Sequence, residues 1–125
     1  MAERQLHSDT EIYKAVIDLA KFSVLAVRQM PRDVKRVIGD LLRDETLWMG
    51  VLVMRTNIAR GEAKLPHLVE LLEHLELVSM ALRIAHELGF IARATWAQSI
   101  PLVASVGKQA NGLKTHFAPQ SSPAA

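Results

Sequence analysis

Apolar residues recur at three- and four-residue spacing along most of the chain, the period of one buried helix face. Strand-type alternation and internal repeats are absent. Tyr13, Val16, Ala20, Ser23, Val27 and Met30 trace the first stripe. They predict a helix over 10–29, with Ser8 or Asp9 as its N-cap. Met30-Pro31 breaks it, because the residue before proline avoids helical backbone, and Pro31 suits the first turn of a second helix over 32–60 that stops at Gly61. A third helix is expected over 66–88, ending at Gly89, and a fourth over 93–116. Within the fourth, Pro101 removes a backbone hydrogen bond and predicts a kink, unless it marks a boundary. The tail 118–125, APQSSPAA, has too little to bury and is expected to be disordered. Long helices joined by short loops pack antiparallel, so the expected fold is all-α, one up-down-up-down four-helix bundle over residues 1–117.

The second and third helices carry more apolar surface than one stripe needs. Stepping about 100° per residue, Leu68, Leu71, Leu75, Val78, Leu82 and Ala85 share the expected core face of the third helix. Leu77, Ala81, Ile84 and Leu88 lie on another side. On the second helix, Val34, Val37, Ile38, Leu41, Trp48 and Leu52 are expected in the core, and Leu42, Thr46, Met49, Gly50 and Val53 on the far face. Soluble monomers avoid large contiguous apolar patches, so these residues predict a homo-oligomer with Leu42, Met49, Gly50, Val53, Leu77, Ala81, Ile84 and Leu88 at its interface. Gly50 would there admit a neighbouring backbone. The alternative is that these residues cover one another within a broad bundle core.

Composition narrows the picture further. Of 125 residues, 50% are hydrophobic and only 5% aromatic, so the core is built from Leu, Val, Ile, Ala and Met. The absence of cysteine excludes disulfides, thiolate zinc sites, iron–sulfur clusters and a thiol nucleophile. The first nine residues contain no apolar signal segment, and the uncharged run Ala94–Gly107 is shorter than the about 20 residues a spanning helix needs. A soluble cytoplasmic protein without membrane partners is the expectation. Net charge is +2, unevenly spread. Residues 62–87 carry a balance of −3, whereas the turn holding Arg28, Arg32, Lys35 and Arg36 carries +3. After Glu87 there is no acid, only Arg93, Lys108 and Lys114. These seven cations are the candidate contacts to an RNA or DNA backbone, read through charge rather than base identity. A solvated charged turn is the plain alternative.

Residues for catalysis or metal binding do not form a recognisable set. A di-metal bundle site needs Glu-x-x-His on two helices, and none occurs. Glu70 and His74, four apart, read as a surface pair. Ser79 and His86 lie about 10 Å apart along a helix, too far for a nucleophile and its base. Glycine-rich nucleotide motifs are missing, and Trp48 and Trp96 read as core anchors rather than stacking platforms. No enzymatic activity and no cofactor are expected.

The order of breaks resembles a known family. Met30-Pro31-Arg32 is followed by Arg36-Val37-Ile38-Gly39, then by Glu87-Leu88-Gly89-Phe90-Ile91 and finally by Val106-Gly107-Lys108-Gln109. Over residues 10–116 this pattern resembles the four-helix-bundle proteins encoded by intervening sequences in bacterial 23S ribosomal RNA genes, relatives of the accessory variability protein of diversity-generating retroelements. The resemblance implies a non-enzymatic homopentameric ring. In the retroelement branch, basic surfaces of the ring bind nucleic acid and a reverse transcriptase. The intervening-sequence branch has no established activity. The basic turn at Arg32, Lys35 and Arg36 is the one feature whose position carries over. At +2 this chain is less basic than the retroelement branch. A protein-interaction scaffold is the alternative role.

Overall fold

A computed structural model describes residues 10–119, and those residues are helical with no strand among them. Helix α1 (Glu11–Val27) starts at Thr10, whose hydroxyl accepts the Tyr13 N–H at 3.3 Å. Thr10 therefore takes the capping role expected of Ser8 or Asp9, which lie outside the described residues. Three tightened backbone bonds, from Arg28, Gln29 and Met30 to carbonyls three residues earlier, end α1 before Pro31. The second rod is continuous but not uniform. It comprises α2 (Arg32–Val34), a π-helical turn (Lys35–Gly39) and α3 (Asp40–Ile58). A 3-10 turn (Gly61–Lys64) leads into α4 (Leu65–Glu87). Gly89, at φ +76°, closes α4: its N–H reaches the His86 carbonyl while Phe90 N–H reaches Ala85, which satisfies two carbonyls of the last turn. Helix α5 (Arg93–Phe117) runs through Pro101, so that proline is not a boundary. Pro101 and Ala97 are both exposed, and water can solvate the carbonyl that proline leaves unpaired. Of the expected tail, Ala118 and Pro119 follow the helix and 120–125 lie outside the described residues.

The four rods form a closed square: α1 packs on α3 and α5, and α4 packs on the same two. Contacts at the ends give their directions. Asn57, near the end of α3, donates to Thr10 at 3.3 Å, and Gln29 after α1 bonds Ala92 and Thr95 at the start of α5. Lys64, before α4, sits over the Phe117 ring at the end of α5. Neighbours are thus antiparallel. The core is aliphatic, with Leu19, Leu42, Leu52, Leu68, Leu71 and Leu82 among its largest fully buried side chains. Buried hydroxyls are satisfied within their own helices: Ser23, Thr46 and Thr56 donate to the carbonyls of Leu19, Leu42 and Leu52. Among the described residues no helix is long and apolar enough to cross a membrane.

The face predicted for the third helix is the one observed: Leu68, Leu71, Leu75, Val78, Leu82 and Ala85 are all buried. The second rod corrects the sequence expectation. Leu42, Thr46, Met49 and Val53, expected on an outer face, lie inside the bundle's own core. Val37 and Trp48, expected inside, are 69% and 45% exposed, and Leu41 is exposed too. Leu52, expected inside, is fully buried, and the π turn, which inserts one extra residue, slips the rest of the buried register forward by one, from 41 and 48 to 42 and 49, with Val53 joining Leu52 inside. Ala81 is likewise buried in the bundle. These four apolar interface candidates, Leu42, Met49, Val53 and Ala81, therefore have no free surface to offer. Gly50 is half-buried, and a Cβ built there would meet nothing within 4 Å.

Candidate nucleic-acid interface

Antiparallel packing brings the end of α1, the start of the second rod and the start of α5 to one end of the bundle. Gln29 fixes that junction: its Oε1 accepts the Ala92 N–H at 3.1 Å, and its Nε2 donates to Thr95 Oγ1 at 2.8 Å. Arg28, Arg32, Lys35, Arg36 and Arg93 are all exposed there. Among the described residues none of the five is held in an ion pair. Asp33 is the carboxylate within that run of sequence, and Glu87, at the end of α4, is engaged with Arg83 at 3.5 Å. Lys35 also borders an open groove of 270 Å³ over Val24, Val27 and Gly39. Its far rim is Arg43, whose guanidinium is held above the usual arginine range by its hydrogen bond to Asp44 and by the charges of Asp44 and Asp40.

Two expected members stand apart from this cluster. Lys108 lies fifteen residues along α5 from Arg93, about 22 Å away, and Lys114 lies roughly 30 Å away, near the opposite end. The basic end is therefore Arg28, Arg32, Lys35, Arg36 and Arg93, five exposed cations, with the aromatics nearest Arg93 in sequence, Phe90 and Trp96, half-buried. Such an arrangement suits phosphates, whose recognition needs positive charge and little geometry, and offers nothing to distinguish one base from another.

The sides of the bundle carry a second kind of surface. Leu77, Ile84 and Leu88 are exposed on α4, together with Met80. On α3 the exposed apolar residues are Leu47, Val51, Met54 and Ile58, spaced four, three and four apart and turned directly away from the core. Sequence reading missed this ridge, although its heptad spacing was visible, because the register before the π turn had already claimed the core face. Beside the ridge, Trp48 lies under the Arg55 guanidinium at 5.5 Å and parallel to the His74 ring at 6.3 Å. His74 Nδ1 is hydrogen-bonded to Glu45 Oε2, and its Nε2 is 3.8 Å from Glu70. Glu70 and His74 thus pair, as their spacing predicts, but the stronger tie pins α4 to α3. Trp96 is half-buried and stacks on His86 at 4.5 Å. Ser79 lines a groove beside Trp96 and Ser99. Among the described residues no cluster of three or more His, Asp or Glu side chains could hold a metal ion.

The sequence matches no protein-family model and no curated protein.

Proposed function

We propose that this protein is a non-enzymatic homo-oligomer that binds the phosphate backbone of RNA or DNA through its basic end. The observation that carries the reading is the collection of Arg28, Arg32, Lys35, Arg36 and Arg93 at one end of the bundle, exposed and without ion-pair partners among the described residues. Release of condensed counterions supplies the affinity. Assembly multiplies it, since each copy adds one more basic end to a common rim. Self-association is supported by the exposed apolar residues of α3 and α4, which line up along outward faces in a way that soluble monomers tend to avoid. The resemblance to the 23S intervening-sequence proteins supports five copies.

The test is anisotropy of a labelled single-stranded RNA. Binding is expected at low salt, with a log–log salt slope that falls by about 1 for each phosphate contact removed, as in Lys35→Glu or Arg36→Glu. Undetectable binding at low salt, or affinity indifferent to salt, overturns the nucleic-acid reading. Glu70, Glu73 and Glu76, on the acidic helix α4, favour a second reading, a scaffold for a basic protein partner. A stoichiometric partner that survives nuclease treatment would select it.

A further inference from the structure

Helices α1 and α4 occupy opposite corners of the square, since each packs on α3 and α5. Their outward faces differ in sign. On α1, Lys14, Ile17, Lys21 and Val24 follow one another at intervals of three and four, with Leu25 beside them and the exposed Asp18 on the same edge, so the stripe carries two lysines against one carboxylate. Val24 is 58% exposed, and the stripe lies nearly opposite the buried Ile12, Leu19 and Ser23. On α4, Glu70, Glu73, Leu77, Met80 and Ile84 make the corresponding outward stripe, acidic in its first half and apolar in its second. The opposing charges are weakly engaged elsewhere. Lys14 meets Glu11 in an exposed pair at 3.7 Å, and Glu70 lies 3.8 Å from His74. Lys21 and Glu73 have no ion pair among the described residues. Pointing apart on one molecule, the two stripes cannot satisfy each other within it.

Their levels match. Asn57 bonds Thr10 at the start of α1, and Lys64, at the start of α4, donates to the Thr56 carbonyl at 2.7 Å, so both helices begin at the same height and run in the same direction. Counting equal rises from Thr10 and Lys64 sets Lys14 within a turn of Glu70. It sets Lys21 within a turn of Glu73, and Val24 and Leu25 beside Leu77 and Met80. We infer that α1 of one copy docks, parallel and level, on α4 of a second copy, lysine row to glutamate row and aliphatic end to aliphatic end. The contact is head-to-tail: every copy offers both halves, and repetition generates a ring when the rotation closes. This rests on the homo-oligomer reading above and specifies its interface.

The experiment is a pair of charge reversals in the full chain, read by sedimentation equilibrium with helicity as the folding control. Lys14→Glu with Lys21→Glu is expected to weaken self-association by about tenfold or more, and Glu70→Lys with Glu73→Lys to do the same. All four changes in one chain are expected to restore assembly, because the complementarity is reinstated with the signs exchanged. If the lysine variant fails to fold, the glutamate variant carries the decision alone. Reversal variants that keep the wild-type mass, or a four-fold variant that does not reassemble, overturn this interface and leave the homo-oligomer intact. A wild-type chain that sediments at 13.9 kDa overturns both.

Discussion

Two glycines on the second rod show how one substitution can have opposite signs. A Cβ at Gly39 would stand 2.9 Å from Val27 Cγ1, a stiff β-branched side chain already packed against the core, so the π turn and α1 approach too closely there for any other residue. At Gly50 the same atom would meet nothing within 4 Å. Gly39→Ala is therefore expected to lower stability by about 1 kcal/mol, the crowding outweighing the gain in helix propensity. Gly50→Ala is expected to raise it by about 0.5–1 kcal/mol, by removing conformational freedom from the unfolded chain. Urea midpoints at equal m-value check both. A rise for Gly39→Ala would mean that Val27 gives way, and a fall for Gly50→Ala would mean that its surroundings are not open.

At the scale of elements, what could be read from the sequence was what backbone chemistry dictates locally. Met30-Pro31, Gly61 and Gly89 mark their breaks because each changes the allowed backbone angles, and the helix bounds fall within two or three residues of those expected. The face of α4 was legible for a different reason: its period is undisturbed for 23 residues. The face of the second rod was not, because a π turn carries no reliable residue signature and shifts everything after it by one position. That origin predicts an unusual tolerance. Deleting Val37 converts Lys35–Gly39 to ordinary α-helix and leaves Val34, Ile38, Leu42, Thr46, Met49 and Val53 on one α-helical stripe. The variant is expected to keep its helicity and cooperative thermal transition. Deleting Leu47, similarly exposed, turns half of α3 by about 100° against its neighbours and is expected to abolish that transition. Circular-dichroism melts distinguish the two, and equal damage from both deletions would show that the turn is required rather than accommodated. The basic end was legible as charge in sequence, but its membership was not. Arg93 joins it through the Gln29 junction, whereas Lys108 and Lys114 are carried away by the length of α5.

For the whole molecule, the decisive quantity is how much apolar surface the square of helices leaves outside. The α3 ridge of Leu47, Val51, Met54 and Ile58 lies between the α1 and α4 corners. In the proposed ring joined at those corners either α3 or α5 faces the axis, and the apolar ridge favours α3. There β-branched Val51 and Ile58 alternate with Leu47 and Met54, as side chains do along the seam of associating helices. The same proposed ring would set all basic ends on one rim, because its copies would stand level. Assembly and nucleic-acid affinity are then coupled, and two variants separate them. Leu47→Glu with Met54→Glu leaves the bundle core and the basic end untouched, since both side chains point away from them. It is expected to release monomers with unchanged helicity and to weaken RNA binding by about tenfold or more, because one basic end replaces many. Arg36→Glu is expected to do the reverse, weakening RNA binding at constant particle mass. Measuring mass and RNA affinity on both variants decides the matter: RNA affinity undiminished in a demonstrated monomer would show that one end suffices, and would remove the rim from the account of binding.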